Sequence, residues 1–93
     1  VSGLSVVVDA GKAPGSRVQS VMVNGKQLDP SATYKVATND YMVGGGDGYT
    51  ALGSGKVLID ASAADLMATD VMNYVQQKGT ISPAPEGRIT INK

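Results

Sequence analysis

The stretch Arg17-Val18-Gln19-Ser20-Val21-Met22-Val23-Asn24-Gly25-Lys26-Gln27-Leu28 reads as a β-hairpin. Val21 and Val23 share one side of an extended chain, but Arg17 and Gln19 share it too, so the alternation is imperfect. Asn24-Gly25 favours a type I′ turn, because both residues tolerate positive φ. Upstream, Gly3-Leu4-Ser5-Val6-Val7-Val8-Asp9 opens with alternation and ends in a β-branched run, which predicts a strand. Ala10 to Gly15 is a loop by its Gly and Pro content, and Asp29-Pro30-Ser31 is a turn.

Further along, Thr33-Tyr34-Lys35-Val36-Ala37-Thr38-Asn39 predicts another strand, with Tyr34, Val36 and Thr38 on one side. Residues 49–61 are ambiguous, and Val57-Leu58-Ile59 fits a short buried strand. The clearest helix runs from about Ala63 to Lys78, with Ser62 as N-cap and Asp65 at the capping-box distance. Met67, Val71, Tyr74 and Val75 fall on one face of it, and Gly79 supplies the C-cap. Tyr34 and Tyr74 read as packing residues. Arg88-Ile89-Thr90-Ile91 predicts a final strand. Together these elements predict an α+β fold, a mixed or antiparallel sheet of four to five strands packed on one main helix.

With 93 residues the chain holds one domain or part of one. Size scaling predicts that such a chain buries roughly 63% of its extended-chain surface, enough for one modest core. Without Phe or Trp, that core must rest on Val, Leu, Ile, Met and Ala. Eight basic residues balance eight acidic ones, which argues against nucleic acid as a partner. Cys and His are absent, so thiol nucleophiles, imidazole bases, disulfides and the usual zinc sites are excluded. No apolar run approaches the about 20 residues that span a bilayer. The amino end reads as a strand rather than a signal peptide, as it would in a trimmed secreted chain.

The segment that could carry chemistry is Asn39-Asp40-Tyr41-Met42-Val43-Gly44-Gly45-Gly46-Asp47-Gly48-Tyr49. Its glycines let another group approach the backbone and leave Asp47 with little side-chain cover. An ionised carboxylate only accepts hydrogen bonds, and it accepts two well from adjacent donors such as the vicinal hydroxyls of a sugar. Tyr41 could offer its ring face to a planar base. The plainer reading is a tight connection with a turn aspartate. Gly46-Asp47-Gly48-Tyr49-Thr50-Ala51 fits a loose dinucleotide pattern, but it puts an acid among the phosphates and opens no clear helix. Gly53-Ser54-Gly55-Lys56-Val57 lacks the Ser or Thr that a phosphate loop requires after its Lys. Asp40 and Asp47 as an acid–base pair lack the apolar surroundings that would raise one pKa.

Taken in order, several segments together resemble the C-terminal domain of 5′-nucleotidases, UDP-sugar hydrolases and 2′,3′-cyclic-nucleotide phosphodiesterases. They are Val1-Ser2-Gly3-Leu4, Pro14-Gly15-Ser16-Arg17-Val18, Val23-Asn24-Gly25-Lys26, Thr33 to Tyr41, Gly45-Gly46-Asp47-Gly48-Tyr49 and Pro85-Glu86-Gly87-Arg88-Ile89. The resemblance implies that residues 1–93 correspond to the C-terminal half of that substrate-binding domain. It implies nucleoside recognition, with Tyr41 stacking on the base and Asp47 binding ribose hydroxyls. Asn39, Asp40, Gly45, Gly46 and Gly48 would shape the loop.

No catalytic or metal-ligating residue is expected in this chain, and the chain alone is expected to be inactive. The resemblance places two divalent metals in an N-terminal metallophosphoesterase domain, which becomes a partner within the same parent polypeptide. It also implies a periplasmic, secreted or cell-surface setting without membrane insertion. A homodimer through an exposed sheet edge is a further expectation. The competing reading is a non-enzymatic carbohydrate-binding or surface interaction module.

Overall fold

The computed structural model describes all 93 residues. They form two units, one of residues 1–33 and 83–93, the other of residues 34–82. The first unit is a mixed four-stranded sheet: β1 (Leu4–Asp9), β2 (Val18–Val23), β3 (Lys26–Gln27) and β4 (Ile89–Asn92). The order across the sheet is β3-β2-β1-β4. β1 pairs antiparallel with β2 and parallel with β4, and β4 forms an open edge.

Asn24 and Gly25 stand at φ +51° and +79°, the type I′ geometry expected of that dipeptide. The imperfect alternation of β2 has a structural cause. Val7 pairs with Ser20, but Val8 pairs with Val18, so the register slips by one residue at Gln19. This bulge carries Val18 onto the face already holding Val21 and Val23. Leu4, Val6 and Val8 lie opposite them, and Ile89 and Ile91 pair with Val6 and Val8 on the other side. That face is apolar across β2, β1 and β4, with Lys26 of β3 beside Val23 at its edge. The other carries Ser5, Asp9, Ser20, Thr90 and Asn92 besides Val7 and Met22.

The second unit holds a short helix α1 (Asp40–Val43), two 3₁₀ turns (Gly46–Gly48 and Thr50–Ser54) and the main helix α2 (Met67–Lys78). Three expectations fail here. Thr33–Asn39 is not a strand, because it finds no neighbouring strand to supply its ladder bonds, and Val36 is 70% exposed. Val57-Leu58-Ile59 forms neither strand nor core, and all three side chains are exposed. The main helix begins at Met67 rather than Ala63, with Leu66 at its N-cap.

Asp60 is the reason that Ser62 does not cap the helix. Its Oδ1 accepts from the Ser62 hydroxyl at 2.6 Å and from the amides of Ser62 and Ala63 at 3.0 and 3.2 Å. Ser62 is thus spent in a turn one step before the helix. These bonds, the Ser62 hydroxyl first, hold the Asp60 carboxyl below its ordinary value. Stabilisation of the turn is complete above the ordinary carboxylate value and is lost as pH falls through the lowered midpoint. Ser62→Ala should therefore raise the Asp60 titration midpoint, read from its carboxyl carbon by NMR; an unmoved midpoint would contradict the assignment.

Gly79 closes α2 as expected, at φ +80°, with its amide donating to the Val75 carbonyl at 2.8 Å. The modest core expected from chain length is absent, since no side chain is fully buried. Tyr34 and Tyr74 are likewise exposed rather than packed, and Tyr74 lies under the Lys78 ammonium at 5.7 Å.

Candidate functional site

The loop from Asn39 to Tyr49 is built from two short helical turns rather than irregular chain. Asn39 is extended (φ −85°, ψ 163°), and its Oδ1 accepts from the Met42 amide at 2.8 Å, which starts α1. Asp40 Oδ1 accepts from the Tyr41 amide at 3.0 Å. Two site residues expected from the sequence therefore hold the backbone around Tyr41. α1 ends after one turn, with the Gly44 amide on the Asp40 carbonyl and the Gly45 amide on the Met42 carbonyl.

The chain then reverses through Gly45 (φ +94°), Asp47 (φ +54°) and Gly48 (φ +79°). Glycine adopts this region freely, whereas a residue with a Cβ gives up roughly 1–2 kcal/mol there, least for Asp and Asn. Asp47 occupies it, and the result brings its carboxylate back to the Tyr41 ring. The Tyr41 hydroxyl donates to Asp47 Oδ1 at 3.2 Å.

Gly46 makes that approach possible. A Cβ on Gly46 would lie 2.6 Å from Tyr41 Cζ, well inside contact distance. The sequence indicated that a bare backbone would admit a close neighbour, and the neighbour is Tyr41 itself. The structure thus brings together Tyr41, Gly46 and Asp47, with Gly45 and Gly48 as the bends on either side. Tyr41 is 61% exposed and Asp47 is exposed, so a ring face and a carboxylate edge are both open to solvent. Two shallow surface depressions, one at the turn before β4 and one at the start of β1 beside the Asn24-Gly25 turn, include no residue of this loop.

Catalytic machinery is a different matter. No group of three or more carboxylates converges, and the chain has no imidazole or thiol, so these residues do not fit a divalent metal pair. What the arrangement presents is an exposed phenol ring with a carboxylate at its hydroxyl end.

The family model described as the 5′-nucleotidase C-terminal domain matches residues 1–54. This chain belongs to that family. It is 34% identical, over 96% of its length, to a 5′-nucleotidase of Diplobatis ommata, and 33% identical over 98% to an apyrase of Tabanus yao. Among solved structures it resembles the 5′-nucleotidase precursor of Thermus thermophilus, with a TM-score of 0.85, 33% identity and 98% of the chain covered. The chain spans only 16%, 18% and 18% of these three proteins, respectively. The family places Asn39 to Tyr49 inside the matched segment and leaves α2 and β4 beyond it.

Proposed function

We propose that this chain recognises the nucleoside part of a nucleotide, the base lying on Tyr41 and the ribose hydroxyls meeting Asp47. The observation that carries this reading is the Tyr41–Asp47 contact at 3.2 Å on an open glycine loop, which sets a ring beside a carboxylate. Family membership supports it, since relatives bear the names 5′-nucleotidase and apyrase. Hydrolysis would belong to a metal-bearing N-terminal domain of the natural polypeptide, and these 93 residues alone would hydrolyse nothing. The same kinship, which includes a snake venom 5′-nucleotidase of Gloydius brevicauda, supports a secreted, periplasmic or cell-surface setting. No helix is long and apolar enough to cross a membrane.

The test is calorimetric titration of the natural polypeptide carrying this chain with adenosine, adenine and free ribose. Asp47→Ala should weaken adenosine binding about 10- to 150-fold, the worth of a hydrogen bond to a charged group. Tyr41→Ala should weaken adenosine and adenine alike, by about 5- to 150-fold for one lost stacking contact. If both variants bind adenosine as the parent does, the loop is only a connection. Binding of free sugars without any preference for a base would instead favour a carbohydrate-binding module.

A further inference from the structure

We propose that the Tyr41 hydroxyl is the positioning group for the Asp47 carboxylate, so that a tyrosine rather than a phenylalanine at position 41 fixes the sugar-binding edge before ligand arrives. The inference rests on the nucleoside reading above and adds a role for one atom in it. Tyr41 Oη donates to Asp47 Oδ1 at 3.2 Å, and no other protein group donates to that side chain. Asp47 is exposed on a left-handed residue between glycines, so that hydrogen bond is the polar contact that orients its carboxylate.

The hydroxyl occupies one lone pair of Oδ1, which leaves the second lone pair and all of Oδ2 to accept from a diol. A carboxylate held this way has already lost the rotamer freedom that binding would otherwise remove. Gly46 is the second part of the device. Any side chain there would displace the ring whose far end carries the hydroxyl.

The experiment uses the natural polypeptide and its Tyr41→Phe variant, which keeps the ring and removes the hydroxyl. Two readouts are taken: the carboxyl carbon signals of Asp47 and Asp40 without ligand, and calorimetric affinities for adenosine and 2′,3′-dideoxyadenosine. The expected result is a shifted Asp47 signal, an unmoved Asp40 signal and adenosine affinity lowered about two- to tenfold, as for one ordinary hydrogen bond. Dideoxyadenosine affinity should not change.

An unmoved Asp47 signal overturns the proposal whatever the affinities are. Equal losses for both ligands overturn it too, since the hydroxyl would then act through the ring alone. A gain in adenosine affinity would make the hydroxyl a competitor of the sugar, again against the proposal. Failure of the nucleoside reading looks different. The unaltered protein itself would bind adenosine no better than dideoxyadenosine, while a shifted Asp47 signal would still support the pairing.

Discussion

Gly46→Ala is expected to lower nucleoside affinity about 5- to 150-fold while leaving the protein folded, the loss of one stacking contact. The added methyl would lie 2.5 Å from Tyr41 Cδ1 and 2.6 Å from Cζ, so ring and methyl cannot both stay in place. What gives way is the ring. Tyr41 is 61% exposed and has solvent to swing into, whereas the Gly46 backbone is held between Gly45 and Gly48 by the hydrogen bonds of a 3₁₀ turn. The stability cost therefore stays near about 1 kcal/mol, the low end for an added methylene. Binding loses the stacking surface and the hydroxyl on Asp47 together, and one stacking contact alone is worth roughly 1–3 kcal/mol.

Gly55→Ala is the matched control. Its φ of −79° and ψ of 164° suit any residue, and an added Cβ meets nothing within 4 Å. That variant should bind adenosine normally and gain about 0.4–1 kcal/mol, because alanine narrows the unfolded ensemble. Calorimetry and thermal melts of the two variants decide the matter. Equal affinity in both would mean that the ring position is irrelevant to binding.

The hairpin and the loop were legible in the sequence for different reasons. Asn24-Gly25 specifies its own turn through φ alone, and the structure has that turn. The glycines around Asp47 announced backbone exposure, but nothing local said that Tyr41, six residues earlier, would fill the space. That contact depends on α1 being one turn long, which Asn39 and Gly44 decide jointly. Pairwise alternation also misread β2, because a bulge at Gln19 changes the face of Val18 without changing its residue type. Thr33–Asn39 has the residue pattern of a strand yet lacks a partner, and strandness is a property of the pair. Ser62 has the chemistry of a helix cap, but Asp60 takes its amide and hydroxyl, together with the Ala63 amide, in three bonds.

The isolated 93-residue chain should unfold without a sharp transition and bind a hydrophobic dye strongly, in contrast to the natural polypeptide. Half-buried positions such as Val6, Val8 and Val21 are as covered as this sheet becomes, while Val18, Ile89 and Ile91 on the same face are 60%, 51% and 60% exposed. Helix α2 has 12 residues, about the length at which an isolated helix is marginal in water. Its Met67, Val71 and Tyr74 are 70%, 56% and 54% exposed, so tertiary burial adds little to hold it. Burying one such apolar side chain contributes roughly 1.5–3 kcal/mol. The eight apolar side chains on one sheet face and the stripe on α2 thus represent more than the whole stability of a typical domain, about 5–15 kcal/mol. A fold that covers this surface only by halves should lack cooperativity on its own, and the chain spans only 16% to 24% of the relatives it matches. Scanning calorimetry and dye fluorescence on the two polypeptides test the expectation. A sharp heat-absorption peak in the 93-residue chain without dye binding would show that it assembles its own core.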